Sequence, residues 1–166
     1  MAEPAPKDRL QPSLLDRLTD DAPEQRQEDR DKRVLTLRGL RQSVVRDLSW
    51  LLNSTGLEAA VNLEAYPEVA HSVLNYGIPV LAGRVLAGLD SVTLERRIRQ
   101  AVLAFEPRLL PHSVKIGVVA SDTMSQTALV FTLEGELWAQ PLPLHLYIRT
   151  EVDLETGHAR ITDLSG

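Results

Sequence analysis

Glu106, Pro107 and Arg108 place a carboxylate and a guanidinium on either side of a proline. Two kinds of chemistry suit that pair. A carboxylic acid can protonate a glycosidic oxygen, but glycoside hydrolysis needs a second, correctly spaced carboxylate. Nothing in the sequence fixes one: Glu134 and Glu136 alternate on what reads as an exposed sheet face, where solvation is their expected role. The other chemistry is recognition, in which Arg108 presents its planar fork to a carboxylate or a backbone carbonyl of a partner. A third possibility keeps Arg108 inside the molecule, paired with Glu106 or favoured by the negative end of a helix dipole. From the residues alone all three remain open.

Other chemistries find little support. The four histidines, His71, His112, His145 and His158, include no i, i+4 pair of the kind that holds a metal on a helix, and no carboxylate triad accompanies them. There is no GxSxG, no P-loop and no GxGxxG after a strand, so neither a nucleophile nor a cofactor site is expected. Cysteine is absent, which removes disulfides and thiolate metal sites and fits a reducing compartment. The net charge of −5 argues against non-specific nucleic-acid binding. Lysine occurs only at Lys7, Lys32 and Lys115, so the basic charge is mostly arginine, the side chain suited to planar pairing at interfaces. The first 18 residues lack the apolar core of a signal peptide. No run approaches the roughly 20 apolar residues that span a bilayer. A soluble, intracellular protein without membrane insertion is expected.

The element that must position Glu106 and Arg108 is a helix in residues 91–110. Val92, Ile98, Val102 and Phe105, with Leu94 and Ala101 beside them, recur at helical spacing, and Glu95, Arg96, Arg97, Arg99 and Gln100 fill the other positions. Asp90 or Ser91 can cap its first turn. Pro107 ends it, since proline lacks an N–H and displaces the preceding residue from helical backbone. Glu106 and Arg108 are thus expected on non-helical backbone, displayed past a buried helix and anchored by Phe105 and Leu109.

The rest of the chain falls into order around that helix. Residues 1–33 form a flexible polar segment too poor in apolar side chains to fold alone. Within it, Ser13 can cap a short helix with Leu14, Leu15 and Leu18 as its apolar stripe, a docking segment for this domain or for a partner. Residues 34–166 read as a single domain. A first long helix is expected over residues 34–53, with Val34, Leu37, Leu40, Val44, Leu48 and Leu51 inward and Arg38, Arg41 and Arg46 outward. A short helix over residues 64–74 admits Pro67 in its first turn. Asn75 to Pro79 is a turn, and Gly83 and Gly88 are further breaks. From Val114 the pattern turns to period two. Val114, Ile116, Val118 and Ala120 mark one strand, followed by a turn at residues 121–125. Leu129, Phe131, Leu133 and Leu137 mark a second, with Gly135 read as a bulge. Leu142, Leu144, Leu146 and Ile148 mark a third, and residues 158–164 a fourth after a turn at residues 153–157. Helices first and strands joined by short turns afterwards predict an α+β domain, with N-terminal helices packed on one face of a mainly antiparallel C-terminal sheet.

Several short stretches together resemble a known family. They are Ser13-Leu14-Leu15-Asp16-Arg17-Leu18; Ser43-Val44-Val45-Arg46-Asp47-Leu48 with Leu51-Leu52-Asn53; Ser72-Val73-Leu74-Asn75-Tyr76-Gly77; Phe105-Glu106-Pro107-Arg108-Leu109; and the sheet around residues 153–157. In this order they resemble the TssE family, baseplate subunits of bacterial type VI secretion systems grouped with the lysozyme-like baseplate wedge proteins of contractile phage tails. The resemblance implies the baseplate-wedge, lysozyme-like fold and a structural, non-enzymatic role with no cofactor. It implies partner-binding residues at Glu106, Pro107 and Arg108, which dock on the helical core bundle of TssF and TssG, with Arg46 and Asp47 from the first helix. Further implied partners are the contractile sheath of TssB and TssC, whose polymerisation the subunit helps to start, and TssK with the spike hub. The implied location is the bacterial cytoplasm, at the inner face of the inner membrane. Two other functions suit the same residues: a glycan-cleaving enzyme using Glu106, and a small regulatory binder of the same fold that blocks a partner, as stress-response anti-adaptors do.

Deletion of residues 1–33 should leave the remaining domain folded, as judged by its circular dichroism and solubility. Aggregation of the shortened chain would instead assign the Leu14–Leu18 island to the core.

Overall fold

The computed structural model describes residues 13–19, 24, 36–82, 90–119, 128–139 and 141–165. The elements run α1 (Leu14–Leu18), α2 (Leu37–Leu52), α3 (Pro67–Ala70), α4 (Ser91–Phe105), β1 (Lys115–Val119), β2 (Ala128–Leu137), β3 (Leu144–Asp153) and β4 (Ala159–Asp163), with 3-10 turns at Leu57–Ala59 and Val73–Asn75. The strands form a four-stranded antiparallel meander in the order β1-β2-β3-β4. The α+β class expected from the sequence is the one observed.

Strand alternation decides which face the helices cover. Leu129, Phe131, Leu133 and Leu137 of β2 and Leu146, Ile148 and Val152 of β3 are buried together with Val44, Leu48, Leu51 and Leu52 of α2 and Leu94, Ile98 and Val102 of α4. The other sheet face is largely polar, and Glu134 there lies within ion-pair range of Lys115 and His145. Thr36 caps α2 by accepting from the Gly39 N–H, and Asp90 caps α4 by accepting from Val92 and Thr93. Asn53, at the α2 exit, both donates to and accepts from the backbone of Ala159, which ties the end of the helix to β4.

The structure corrects several expectations. Val92 is exposed, because at 100° per residue it lies opposite the Leu94–Ile98–Val102 face. Leu37, in the first turn of α2, is also exposed, and the helix is shorter than residues 34–53. Glu95 and Arg99 do not simply face solvent: Glu95 accepts from the Val118 N–H and Arg99 donates to the Val114 and Pro111 carbonyls, fastening α4 to β1. The helix expected over residues 64–74 is one turn, α3, with Pro67 in its first turn. It stops because Ser72 takes the Leu74 N–H for itself and starts a separate 3-10 turn. Gly135 is no bulge: β2 and β3 pair one to one from Ala128↔Asp153 to Leu137↔Leu144. Its missing side chain makes room for Leu109, whose Cδ2 would stand 3.1 Å from an added Cβ. Leu142 is exposed between two prolines, and β3 begins only at Leu144, where β2 still offers a partner. Val34, Gly83, Gly88, Ala120 and the turn at residues 121–125 lie outside the described residues.

Geometry dictates the glycine at position 77. Gly77 has φ +140°, and a Cβ there would sit 2.5 Å from the Gly56 nitrogen. The close approach lets the Ile78 N–H donate to the Ser54 carbonyl and the Gly56 N–H to the Ile78 carbonyl, at 2.9 and 3.2 Å. The loop after α2 is thereby held against the loop that leads Tyr76 under the α4 exit.

Thr150 is fully buried on the core face of β3, and its hydroxyl finds no hydrogen-bond partner among the described residues. Thr150→Val keeps the shape and removes the stranded hydroxyl, so it should stabilise the protein by about 1 kcal/mol in chemical denaturation. Destabilisation would reveal a partner for the hydroxyl.

Candidate functional site

The site forms where α4 ends. The Glu106 N–H still donates to the Val102 carbonyl, but its backbone has left the helical region, as Pro107 demands. Beyond the proline the chain is clamped to the sheet. Leu109 forms an isolated antiparallel bridge with Leu137, the Leu110 N–H donates to the Glu136 carbonyl and the Trp138 N–H donates to the Arg108 carbonyl. Leu109 is buried beneath and Pro107 is exposed above. The anchor positions of Phe105 and Leu109 agree with the sequence expectation.

The display of Glu106 does not. Its exposure is 2%, and both carboxylate oxygens are engaged by Arg108. Nε of Arg108 donates to Glu106 Oε1 at 2.7 Å and Nη2 to Oε2, a two-point fork, and the Arg108 backbone N–H adds a third bond at 3.1 Å. The same guanidinium reaches across to α2, where Nη1 donates to Ser43 Oγ at 3.1 Å and Nη2 to Asp47. Of the five N–H donors on a guanidinium, four are thus committed within the chain. Burial works against the Arg108 charge, but the hydrogen bonds and charges of Glu106 and then Asp47 outweigh it and hold the pKa above its ordinary value.

The ion pairs continue outward. Asp47 is paired with Arg46 as well, and Arg46 Nη1 reaches Asp16 of α1 at 2.6 Å. Glu106, Arg108, Asp47, Arg46 and Asp16 therefore form a line of alternating charge from the core edge to the N-terminal segment. Burial of Asp16 opposes its charge, but hydrogen bonds from Ser13 and Arg46 and the charge of Arg46 hold its carboxyl below the usual value. Tyr76 supports the line from beneath: its ring meets Phe105 edge to face at 5.1 Å, and its hydroxyl donates to the Asp47 carbonyl at 3.4 Å. Burial, then the charges of Asp47 and Glu106, push the Tyr76 phenol up and keep it a neutral donor.

All five residues singled out from the sequence, Glu106, Pro107, Arg108, Arg46 and Asp47, are thus brought to one place. Four others complete it that were not singled out as site residues: Ser43, Asp16 and both tryptophans of the chain. Trp50 is 51% exposed beneath the Arg46 guanidinium, 5.1 Å from ring centroid to Cζ, and Trp138, 55% exposed, follows the clamp on Arg108. Trp50 had a signal: it falls outside the apolar stripe of its own helix. Trp138 had none, because the sequence did not say what β2 would meet at its end.

The described residues contain no group of three or more His, Asp or Glu placed to hold a metal ion, and none of their helices is long and apolar enough to cross a membrane. The arrangement can do two things. It can lock α2 to the α4 exit, and it can present a rigid polar ledge of Pro107, Arg108, Asp47 and Arg46 with the exposed indole of Trp50 beside Arg46. Comparison with known proteins matches residues 38–142, from the first turn of α2 to the approach of β3, to the family described as baseplate wedge protein gp25. No curated protein and no solved structure gives a significant match.

Arg108→Ala strands the Glu106 carboxylate in a buried position without its cation. It should cost about 3–5 kcal/mol, whereas Arg46→Ala, on the partly exposed outer pair, should cost no more than about 1 kcal/mol. Thermal unfolding of the two variants checks this; equal melting temperatures would remove Arg108 from its structural role.

Proposed function

Since the chain belongs to the family of baseplate wedge protein gp25, a structural part in a contractile tail-like baseplate follows from its kinship, and we propose that the assembly is a type VI secretion baseplate. In this reading the protein docks on the helical core bundle of TssF and TssG, links that wedge to the TssB–TssC sheath, and lies within reach of TssK and the spike hub. It works in the bacterial cytoplasm against the inner membrane, and it is not an enzyme.

The observation that carries the reading is the prefolded ledge at the α4 exit. A partner meeting Pro107, Arg108, Asp47 and Arg46 finds side chains already fixed by ion pairs and by the backbone clamp to β2, so little conformational entropy remains to be lost on docking. Tryptophan and arginine are also the side chains most enriched among residues that dominate interface energies. The same geometry argues against glycan cleavage, because a general acid must reach the leaving oxygen and Glu106 is buried with both oxygens held by Arg108. A regulatory binder of the same fold would not require this ledge.

Co-purification with the TssF–TssG pair tests the proposal. The variant is Glu106→Gln/Arg108→Gln, which removes both charges together and so avoids leaving a buried carboxylate alone. Wild type should retain the pair, and the folded double variant should retain it about tenfold less or worse. Equal retention by both would free the ledge of any docking role. No retention by wild type would overturn the type VI assignment.

A further inference from the structure

A guanidinium can offer a two-point fork on two edges only, Nε with Nη2 and Nη1 with Nη2. Both edges of Arg108 are filled from within the chain. Nε and Nη2 hold the two oxygens of Glu106, while Nη1 and Nη2 hold Ser43 Oγ and Asp47 Oδ2. Nη2 carries two N–H groups and makes two bonds, so it has nothing further to give. The outward fork expected from the sequence is therefore already used. One N–H remains, the second on Nη1, and it alone among the donors of this side chain has no acceptor among the described residues.

That remainder limits what a partner can place against the ledge. A carboxylate could be gripped at two points only if Arg108 released Glu106 or Asp47. Releasing Glu106 would leave a carboxylate that is 2% exposed without its cation. Charge does not draw a carboxylate either, because the guanidinium already touches two, and a third would be set against both. A neutral carbonyl oxygen meets neither obstacle. It needs one N–H, brings no net charge, and gains from a donor that is charged. The direction of that N–H is fixed, since the backbone N–H of Arg108 is held by Glu106 and its carbonyl by Trp138. The side chain keeps 24% of its surface open. Pro107, exposed beside it, has no N–H to compete for the same acceptor.

We propose that Arg108 recognises a single neutral carbonyl oxygen of its partner through Nη1, and that Glu106 and Asp47 make it select against carboxylates. The proposal rests on the docking reading above and names the chemistry of the group that meets the ledge. Two kinds of group carry such an oxygen. Main-chain carbonyls in the last turn of a helix lack an intrahelical donor, and the negative end of the helix dipole favours a cation there. Side-chain amides of asparagine and glutamine supply the same atom. Asp47 is the specificity-determining residue, because it fills the second fork edge without needing to touch the partner.

The structure of the full chain bound to the TssF–TssG pair reads the contact directly. A carbonyl oxygen within about 3.2 Å of Nη1 is expected, with Glu106 and Asp47 still on Nη2. Whether that oxygen belongs to main chain or to an amide side chain tells the two sources apart. A partner carboxylate on the guanidinium, or no partner oxygen near Nη1, overturns the proposal. Arg108→Lys gives a second test in solution. Lysine keeps the positive charge but has three N–H groups, which Glu106, Asp47 and Ser43 would use up. The folded variant should retain the pair at least about tenfold less than wild type. Equal retention would show that charge alone suffices, and this inference alone would fail. If the lysine variant does not fold, the bound structure decides. When wild type itself retains nothing, the docking reading fails and takes the inference with it.

Discussion

The guanidinium of Arg108 joins parts of the chain that no apolar contact would align. It holds the carboxylate at the end of α4 and a hydroxyl and a carboxylate on α2, while the backbone carbonyl of the same residue accepts from the N–H of Trp138, which follows β2. Hydrophobic packing can bring α2 and α4 onto the sheet, but it is non-directional and tolerates small shifts of one helix along another. A fork that must satisfy two carboxylates and a hydroxyl tolerates far less. Replacing such a group with a well-packed apolar one is often neutral for stability. What the ion pairs contribute here is register between α2, the α4 exit and the sheet.

That distinction bears on the docking proposed for this corner. An arginine displayed on a loose loop would lose side-chain freedom when a partner captured it. Arg108 has already lost that freedom within the chain, so under the proposed docking a partner would meet a finished surface. Glu106 then has a part that the family motif does not suggest on its face. It is the buried counter-charge that makes Arg108 rigid, while Pro107 and the outer edges of Arg108, Asp47 and Arg46 form the surface itself. The proline contributes twice, by ending α4 and by standing exposed above the pair.

The charge line also reaches the N-terminal segment through the Arg46–Asp16 pair. Apolar packing fixes the long helices α2 and α4, whereas a single ion pair and a serine cap orient α1. The molecule thus grades from a dry core, through a partly buried polar layer, to a short helix whose apolar side is turned outward.

Much of the architecture was legible in the chain, because it follows from periodicity. Helical spacing located α2 and α4, alternation located the strands, Pro107 set the end of α4, and short turns implied an antiparallel meander. Errors arose where a period was read without its phase: Val92 repeats at nearly the right interval but lies opposite the core face, and Leu142 alternates correctly but has no strand left to pair with. Glu106 was read as displayed because its neighbours are a helix end and a proline. It is held inward by Arg108, whose guanidinium also bonds Ser43 and Asp47, more than sixty residues from Arg108 along the chain. Local pattern, capping and composition are properties of the sequence and were determined by it. Which charges meet, and hence which face inward, depends on the three-dimensional superposition of α2 on the α4 exit, and only the tertiary structure decided that.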